Sequence, residues 1–555
     1  MQKLIECVPN FSEGRDMSII NQITSTISET EGVNLLDVDP GKATNRTVVT
    51  FVGGPEAVVE AAFKCIKKAS ELIDMRKHSG EHPRFGATDV CPFVPVANAS
   101  MEDCIACAKA LGERIGKELG IPVYLYENAA SKPERQNLAT VRAGEYEGIS
   151  DKIIQSEWKP DFGPAKFNER SGNIAIGARD FLVAYNVNLN TTSTRRANSV
   201  AFDVREKGRI DPSGALDSKG EPIRIPGKCK AVKGIAWFIE EYGIAQVSMN
   251  LTNISITPVH VAFDECVNSA YNRGLRVTGS ELVGLIPLQA MLDAGKYFLR
   301  KQGRSVGVSE KEIIHIAIKS MGLDELTPFD PNEKIIEYKL KGGQKMGRLA
   351  SMDLLEFADE TASESPAPGG GSISAYVGSL GISLATMVAN LSSHKRGWDD
   401  RIEEFSDWAE KGQYLKDELL KMVDEDTNAF NLIMQAFGLP KGTDEEKAAR
   451  KQAIQDATKY AIETPLRVMQ LSLDSMEVIK EMAAIGNLNS ISDAGVGALC
   501  ARTAILGAHM NVLINASGLK DEAYLEDVLP RAKSMAEQAV EFEKEITAIV
   551  MKSIA

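Results

Sequence analysis

Two histidines lie in a short polar segment, residues 76–89, with the sequence RKHSGEHPRFGATD. His78 and His82 flank Glu81, and Arg84 adds a cation two residues beyond. Histidine has an unperturbed pKa near neutrality, so it can accept and return a proton at working pH. One interpretation is therefore a loop histidine that acts as acid and base, beside cations that suit an anionic substrate.

A zinc site is a second interpretation, because the two histidines match the H-x-x-E-H pattern of zinc peptidases. That pattern needs both side chains on one helical face, but Gly80 lies inside the motif and Pro83 follows it at once. Proline disfavours helical geometry at the preceding residue and removes a backbone donor, which argues against a helical zinc pair. A capping or surface histidine and a histidine acid/base both remain open.

Acidic residues at a predicted turn form another candidate site. Asp37 and Asp39 are expected at the end of a strand, directly before a turn at Pro40-Gly41. Aspartate side chains often bond to the backbone of such turns, so a structural role is one interpretation. The alternative is that Asp39 orients a histidine or binds a polar heterocycle.

A glycine-rich loop, residues 365–372 with the sequence SPAPGGGS, precedes a predicted helix and contains Gly369, Gly370 and Gly371. Such a loop before a helix N-terminus can bind an anion. The Gly-Lys-[Ser/Thr] of a P-loop is missing, so a nucleoside triphosphate is not expected. The alternative is a tight loop that lets helices approach closely.

Three consecutive acids occur in the helical segment 423–430, VDEDTNAF. Asp426 lies four residues before Phe430 and can share its buried side. A run of charges is usually a solvated face. The alternative is a carboxyl group kept protonatable by burial and by its like-charged neighbours. A second polar segment, GNLNSISD with Asn487, either binds a ligand or caps a helix.

The composition is that of an ordinary globular protein, with 43% hydrophobic and 25% charged residues. The net charge of −14 argues against nucleic acid or anionic lipid as the main partner. We expect no apolar run long enough to span a membrane and no signal peptide at the N-terminus. Eight cysteines in 555 residues do not make a disulfide framework, so we expect reduced thiols and a cytoplasmic protein.

The hydrophobic patterns predict an α/β fold followed by an all-α helical bundle. The first strand and helix order is β-α-β-β-α-β-α-β, which contains the split βαβ unit of ferredoxin-like folds. A second series of strands and helices in a similar order follows Gly177. The segments GATDVCPFVP and GSELVGLIPL occupy equivalent places in the two halves. We infer two related ferredoxin-like subdomains.

After a linker at 327–347, apolar residues recur only at the spacing of helices. They predict helices at 351–362, 372–392, 399–437, 443–483, 494–515 and 522–552. The net charge from Pro331 onward is −11, with 24 basic and 35 acidic residues, which marks a change of architecture. The predicted boundaries are 1–178 and 179–326 for the α/β subdomains, 327–347 for the linker and 348–555 for the helical domain. Ala- and Gly-rich helix faces there predict a subunit interface.

Taken together, these segments resemble a known family. CVPNFSEG, DVDPGKATNRTVVTF, RKHSGEHPRFGATDVCPF and GPAKFNERSGNIAIGARDFLVAYNVNL resemble a glutamate formiminotransferase domain. SESPAPGGGSISAYVGSLG, VDEDTNAF and GNLNSISDAGVGA resemble a formimidoyltetrahydrofolate cyclodeaminase domain. The two occur in the order of the bifunctional formiminotransferase–cyclodeaminases, and the resemblance covers nearly the whole chain.

The resemblance implies two consecutive reactions in histidine breakdown. The formimino group passes from N-formimino-L-glutamate to N5 of tetrahydrofolate, and N10 then attacks it, which gives 5,10-methenyltetrahydrofolate and ammonia. The resemblance also implies polyglutamylated folate as cosubstrate, no metal, and a ring-like homo-oligomer built from dimers. A single-activity relative and a non-catalytic folate-binding scaffold are the alternatives.

Carried over to this sequence, the resemblance implies His82 as the catalytic residue of transfer and Asp426 as the acid and base of ring closure. Asp39, Arg84, Asn487 and the glycines 369–371 are further candidates for substrate binding. The implied folate-binding segment consists of Gly163, Pro164, Ala165, Lys166, Phe167, Asn168, Glu169, Arg170, Ser171 and Gly172.

Overall fold

The computed structural model describes residues 3–42, 44–80, 84–218, 220–340 and 347–555. His82 therefore lies outside the described residues, and its assignment stays a prediction. The chain divides into two compact units. The first comprises Met1–Ala294 with Met321–Gly343, and the second comprises Gly295–Ser320 with Gln344–Ala555.

A mixed seven-stranded sheet organises the first part of the first unit. Its path is β1-β4-β2-β5-β7-β6, with β3 paired to β4 at the edge. Strands β1 and β2 both pair antiparallel with β4 and β5, whereas β7 pairs parallel with β5 and β6. The strands are β1 (Leu4–Cys7), β2 (Asn10–Phe11), β3 (Val33–Gly41), β4 (Arg46–Gly53), β5 (Thr88–Ala97), β6 (Val123–Glu127) and β7 (Ile174–Ala178).

Three amphipathic helices cover one face of this sheet and form its core. They are α1 (Met17–Ser28), α2 (Pro55–Leu72) and α3 (Met101–Glu118). Pro55 occupies the first turn of α2, and Ser100 and Asp103 form a capping box on α3. The short helices α4 (Leu138–Val141) and α5 (Ile149–Lys152) contribute to a smaller core with β5, β6 and β7.

The predicted turn at Pro40-Gly41 is wrong, because both residues belong to β3 and pair with β4. Strand β3 is an edge strand, where a proline is tolerated because one side of the strand needs no ladder donor. The turn falls later, before Arg46, and Asn45 adopts a left-handed conformation there with φ 49°.

The second sheet confirms the predicted ferredoxin-like order. Its four strands run β11-β12-β8-β13, all antiparallel, with α6 and α7 as the two crossover helices. The elements are β8 (Val183–Leu189), α6 (Thr194–Val204), β11 (Val232–Ile239), β12 (Ile244–Leu251), α7 (Val259–Tyr271) and β13 (Val277–Val283). Counted in sequence, this is the order 2-3-1-4, and the first sheet contains the same order in β3, β4, β1/β2 and β5.

Two details of the second half differ from the predictions. Strand β13 begins at Val277 and ends at Val283, before Gly284 at φ 77°, so only the first half of the segment GSELVGLIPL, matched above to GATDVCPFVP, lies in a strand. A small hairpin of β9 (Arg209–Ile210) and β10 (Arg224–Ile225) also interrupts the connection after α6. Helices α8 (Leu288–Lys301), α9 (Glu310–Met321), α10 (Pro331–Lys334) and α11 (Ile336–Leu340) follow.

The second unit contains the predicted all-α bundle. Its helices are α12 (Leu354–Thr361), α13 (Gly370–Ser393), α14 (Ile402–Phe437), α15 (Asp444–Ile485), α16 (Ile491–Ala516) and α17 (Glu522–Ile554). Alanines and glycines on α13 and α16 allow close helix packing, as Gly381 against the Gly497 carbonyl illustrates. One continuous core of buried side chains joins α13 to α17.

Two helices of this bundle are long and apolar enough to cross a membrane by length and composition, namely Gly370–Ser393 and Leu488–Ala516. The expectation that no apolar run reaches that length is therefore wrong. A helix packed in a protein core passes the same test, since its apolar faces are covered by neighbouring helices. In the helix Gly370–Ser393, 61% of the most apolar stretch is buried inside the protein.

Candidate active sites

The histidine loop is anchored to the turn between β3 and β4. The Asn45 side chain donates from Nδ2 to the Ser79 carbonyl at 2.8 Å, and its Oδ1 accepts from the Gly14 amide at 3.0 Å. Gly80 lies against the same turn, where a Cβ would collide with the Thr44 carbonyl. Residues 78–80 are not helical, which agrees with the argument from Gly80 against a helical zinc pair.

His78 is held in one tautomer by this anchor. Its Nε2 lies 2.9 Å from the Asn45 carbonyl oxygen, which only accepts, so Nε2 carries the proton. Burial lowers the pKa of His78, the Asn45 carbonyl opposes this shift, and the nearby Arg84 adds to it. His78 is therefore held neutral near pH 7, and its ring ties this part of the loop to the turn at Asn45.

The predicted folate-binding segment brackets the histidine loop at both ends. The Arg170 carbonyl accepts from the Met75 amide at 2.9 Å before the loop, and the Ser171 carbonyl accepts from the Ala87 amide at 2.8 Å after it. Residues 163–166 of this segment are exposed. The structure thus brings the predicted folate segment and the two ends of the histidine loop together, although they are far apart in the sequence.

Arg84 is committed to contacts within the protein. Its guanidinium is paired with Glu147 and lies 5.6 Å from the centre of the Tyr146 ring. The Tyr146 ring in turn contacts Phe167 of the folate-binding segment at 5.4 Å between ring centres. Its pairing with Glu147 offsets much of the positive charge that Arg84 was expected to offer an anionic substrate.

Asp39 lies close enough to Glu281 of the second subdomain for their charges to interact. Burial raises the pKa of its carboxyl, Asp37 and Glu281 add to the increase, and Lys334 opposes it. Glu281 accepts from Asn186 at 3.1 Å and from Gln246 at 3.2 Å. Asn188 and Gln246 are 0% and 1% exposed, so this face of β8, β12 and β13 is a buried hydrogen-bonded network.

This network was missed at the level of sequence. Asn186 and Asn188 alternate with apolar residues in β8, a pattern that predicts a solvent-facing side. An exposed strand face usually carries charged side chains, whereas this face of β8 carries carboxamides. That difference could have indicated a buried polar network. The network holds donors and acceptors in fixed directions within the unit that contains Asp39 and the histidine loop.

Asp426 meets the glycine-rich loop at the start of α13. The Ser372 amide and hydroxyl both donate to Oδ2 of Asp426, at 2.9 and 3.1 Å. Gly371 must be a glycine, because a Cβ there would collide with the same carboxyl group. Burial raises the pKa of Asp426, and the two bonds from Ser372 oppose the shift. The loop thus contacts a carboxyl group that can hold or release a proton.

The neighbouring acids have different partners. Asp424 accepts from the Leu349 and Ala350 amides at 2.9 and 3.0 Å, which fixes the chain before α12. Glu425 is bonded to the Tyr460 hydroxyl. Of the three acids, Asp426 alone lines the cavity described next, within the described part of the chain.

A cavity of about 180 Å³ opens beside Asp426. It is lined by Pro366, Ala367, Gly369, Gly370, Asp426, Thr427, Ala429, Phe430, Ala461, Asn511 and Asn515. Asn487 lies at the N-cap of the short 3-10 helix Leu488–Ser490 and is not one of these residues. Asn511 and Asn515 were missed, although two asparagines four apart in the apolar helix α16 share one face and could have been noticed.

Among the residues that the structure describes, no three His, Cys, Asp or Glu side chains are grouped so as to hold a metal ion. The site at Asp426 is built from a titratable side chain, hydrogen-bonding groups and a close glycine contact. Such sites suit proton transfer between bound groups.

Family models match both units of the chain. A model described as the formiminotransferase domain, N-terminal subdomain, matches residues 4–179, and one described as the formiminotransferase domain matches residues 184–341. A third, described as formiminotransferase-cyclodeaminase, matches residues 353–534.

Relatives of full and partial length are also similar to this chain. The formimidoyltransferase-cyclodeaminase of Rattus norvegicus is 42% identical over 539 residues, 97% of each chain. The glutamate formimidoyltransferase of Streptococcus pyogenes serotype M1 is 42% identical over 300 residues, 54% of this chain and 94% of that protein. The methenyltetrahydrofolate cyclohydrolase of Methylorubrum extorquens is 38% identical over 192 residues, 34% of this chain and 92% of that protein. With such identity along nearly its whole length, the chain belongs to the formimidoyltransferase-cyclodeaminase family.

Proposed function

We propose that the chain performs two consecutive reactions on tetrahydrofolate, with His82 and Asp426 as the respective acid/base groups. The formimino group of N-formimino-L-glutamate passes to N5 of tetrahydrofolate, and the product closes to 5,10-methenyltetrahydrofolate with release of ammonia. The observation that carries this proposal is the similarity to the formimidoyltransferase-cyclodeaminase of Rattus norvegicus, which is named for both activities and aligns with 97% of this chain. The relative named for transfer alone spans 54% of the chain.

In the transfer step, N5 attacks the formimino carbon and a tetrahedral centre forms. N5 loses a proton, the nitrogen of the departing glutamate gains one, and the bond from that nitrogen to carbon breaks. A single histidine can take the first proton and return it to the leaving group. The anchored loop and the adjoining segment 163–172 support His82 in this role, because orientation of two bound substrates supplies much of the rate.

In ring closure, N10 attacks the formimino carbon and passes its proton to a base. The amino group on that carbon then takes a proton and leaves as ammonia, which forms the methenyl bridge. Asp426 suits both transfers because its raised pKa allows the carboxyl to exchange a proton under mild conditions. Ser372 fixes the carboxyl group through Oδ2, and Asp426 lines the cavity in which we place the substrate.

We also propose a cytoplasmic homo-oligomer that acts in histidine breakdown on polyglutamylated folate. Apolar residues at helical spacing remain exposed on α13 and α16, which supports an interface between copies. They are Leu380, Met387, Leu391, Val496, Leu499, Met510, Leu513 and Ile514. All eight cysteines are free thiols and seven of them are buried, which supports a reducing compartment.

The test separates the two activities in the full-length chain. His82→Ala should abolish transfer and retain ring closure of supplied 5-formimino-tetrahydrofolate. Asp426→Asn should transfer normally but accumulate that intermediate. Methenyl absorbance and released ammonia report the products. Asp424→Asn is the matched control, since Asp424 bonds to the backbone outside the cavity and its loss should leave ring closure largely intact.

Each alternative predicts a different result. A non-catalytic scaffold would give neither methenyl absorbance nor ammonia from the wild-type chain with both substrates in excess. A single-activity relative would give one reaction only. Transfer by the His82 variant, or normal ammonia release by the Asp426 variant, would remove that residue from its proposed role.

A further inference from the structure

Two asparagines of α16 present oxygen atoms to the cavity beside Asp426. The Asn511 side chain donates from Nδ2 to the Gly507 carbonyl at 2.9 Å. The Asn515 side chain donates from Nδ2 to the Ala461 carbonyl at 2.7 Å. A backbone carbonyl only accepts, so in each side chain one N–H of the NH₂ group is bonded to the backbone and the amide orientation is set. The Oδ1 atoms of both side chains are thereby left for the cavity that these residues line.

The orientation of Asn515 follows from a proline in the facing helix. Pro465 lies inside α15 and has no N–H to offer the Ala461 carbonyl one turn before it. Asn515 supplies the missing donor from α16. A flipped carboxamide would place oxygen against oxygen and leave that carbonyl without a donor, so the sequence of α15 determines which atom of Asn515 faces the cavity.

A third oxygen near this cavity belongs to Thr427. Thr427 Oγ1 is buried and has no hydrogen-bond partner within the described part of the chain, and Thr427 lines the same cavity next to Asp426. No lysine, arginine or histidine occurs among the described residues of the lining. The side chains around Asp426 are therefore rich in acceptors and suit a ligand that brings N–H donors and positive charge.

The substrate proposed above carries such a group. A formimino group on N5 is an amidine, a base whose terminal nitrogen bears hydrogen and becomes cationic on protonation, and the departing ammonia is also a donor. A formyl group on N5 has the same shape but ends in an oxygen that only accepts. We propose that Asn511 and Asn515 are specificity-determining residues, whose carboxamide oxygens bind the formimino nitrogen and exclude the formyl oxygen. This inference rests on the proposed ring-closure activity.

The test compares the two ligands in the full-length chain, without glutamate so that no transfer occurs. One measurement is kcat/KM for ring closure of supplied 5-formimino-tetrahydrofolate, followed by methenyl absorbance. The other is the inhibition constant of 5-formyl-tetrahydrofolate in the same assay. Asn511→Leu should lower kcat/KM about ten- to one-hundred-fold, since a hydrogen bond to a charged group is lost. The inhibition constant of the formyl compound should stay the same or fall.

Asn511→Asp keeps the acceptor and separates specificity from structure. It should retain ring closure within about tenfold of wild type and weaken inhibition by the formyl compound, because the added charge repels its oxygen. For Asn515, the test uses Pro465→Ala, whose restored N–H can bond to the Ala461 carbonyl. Asn515→Leu in that background should change the ratio of the two ligands relative to Pro465→Ala alone, which serves as the reference because it keeps both carboxamides.

Parallel losses for both ligands in Asn511→Leu and in the Asn515 double variant would overturn the inference, since they indicate a purely structural role. Unchanged values for both ligands would also overturn it. A wild-type chain that does not cyclise supplied 5-formimino-tetrahydrofolate would instead refute the proposed function, which is a distinguishable result.

Discussion

Removal of the Ser372 hydroxyl should shift the acidic side of the pH profile of ring closure, measured as kcat/KM, to higher pH. The amide and hydroxyl of Ser372 both donate to Oδ2 of Asp426, and both lower the pKa that burial raises. Ser372→Ala removes one of these donors and keeps the other. The pKa of Asp426 should therefore rise further, because the ionised carboxylate loses stabilisation that the protonated form needs less.

The size of the effect follows from the type of bond. A hydrogen bond to a charged acceptor contributes about 1.5–3 kcal/mol. Asp426 is only partly enclosed and retains its bond from the Ser372 amide, so we take the low end of that range. A loss of about 1.5 kcal/mol corresponds to about a tenfold higher proton affinity of the carboxyl group. At pH values below the pKa of Asp426, Ser372→Ala should have about tenfold lower kcat/KM than wild type. At higher pH, where Asp426 is ionised in both proteins, the difference should be much smaller.

The assay is methenyl formation from supplied 5-formimino-tetrahydrofolate, measured from mildly acidic to mildly alkaline pH. Ser374→Ala is the matched control, since its hydroxyl donates at 2.7 Å to the Gly370 carbonyl in the same helical turn and does not contact Asp426. The control profile should superimpose on wild type after scaling. If Ser372→Ala also superimposes, Asp426 is not the group that titrates, and its proposed role is refuted.

Three further predictions concern close packing and burial. Gly371→Ala should abolish ring closure and preserve transfer, because its Cβ would displace the Asp426 carboxyl group; equal loss of both activities in separate assays would contradict this. Gly80→Ala should reduce transfer about a hundredfold and leave ring closure intact, since a Cβ would push the loop away from the Thr44 carbonyl. Burial raises the pKa of Glu6 from 4.5 to about 7, so the folded state loses stability as pH rises between those values. Glu6→Gln should therefore stabilise the protein against denaturant by up to about 3 kcal/mol at pH 8 and hardly at pH 4, and an equal gain at both pH values would refute the assignment.

The sequence predicted those features that depend on neighbouring residues. The split βαβ order of the second half and the helices of the C-terminal bundle are examples. The strand order of both sheets follows from alternating patterns and two crossover helices. Errors of position occurred where an edge strand tolerated Pro40 and where β13 ended early at a glycine with positive φ, because both depend on sheet context.

Features that depend on distant partners were less accessible to sequence reasoning. The run of acids at 424–426 gave no sign that Asp424 would bond to the backbone at Leu349 and Ala350 while Asp426 meets Ser372. Each partner lies more than 50 residues away, and local periodicity cannot rank three adjacent carboxylates. The same limit hid Asn515, whose orientation depends on a proline in another helix.

Both candidate sites place a glycine where a distant segment of chain must come close. Gly80 allows the histidine loop to lie on the Thr44 carbonyl, and Gly371 allows the start of α13 to meet the Asp426 carboxyl group. A side chain at Gly80 would push residues 78–80 away from the β3–β4 turn, and a side chain at Gly371 would push the start of α13 away from the Asp426 carboxyl group. This explains why the glycines stand out in the sequence while their partners do not. It follows that Gly371→Ala should impair ring closure as severely as Asp426→Asn and spare transfer, whereas Gly80→Ala should impair transfer less severely than His82→Ala and spare ring closure.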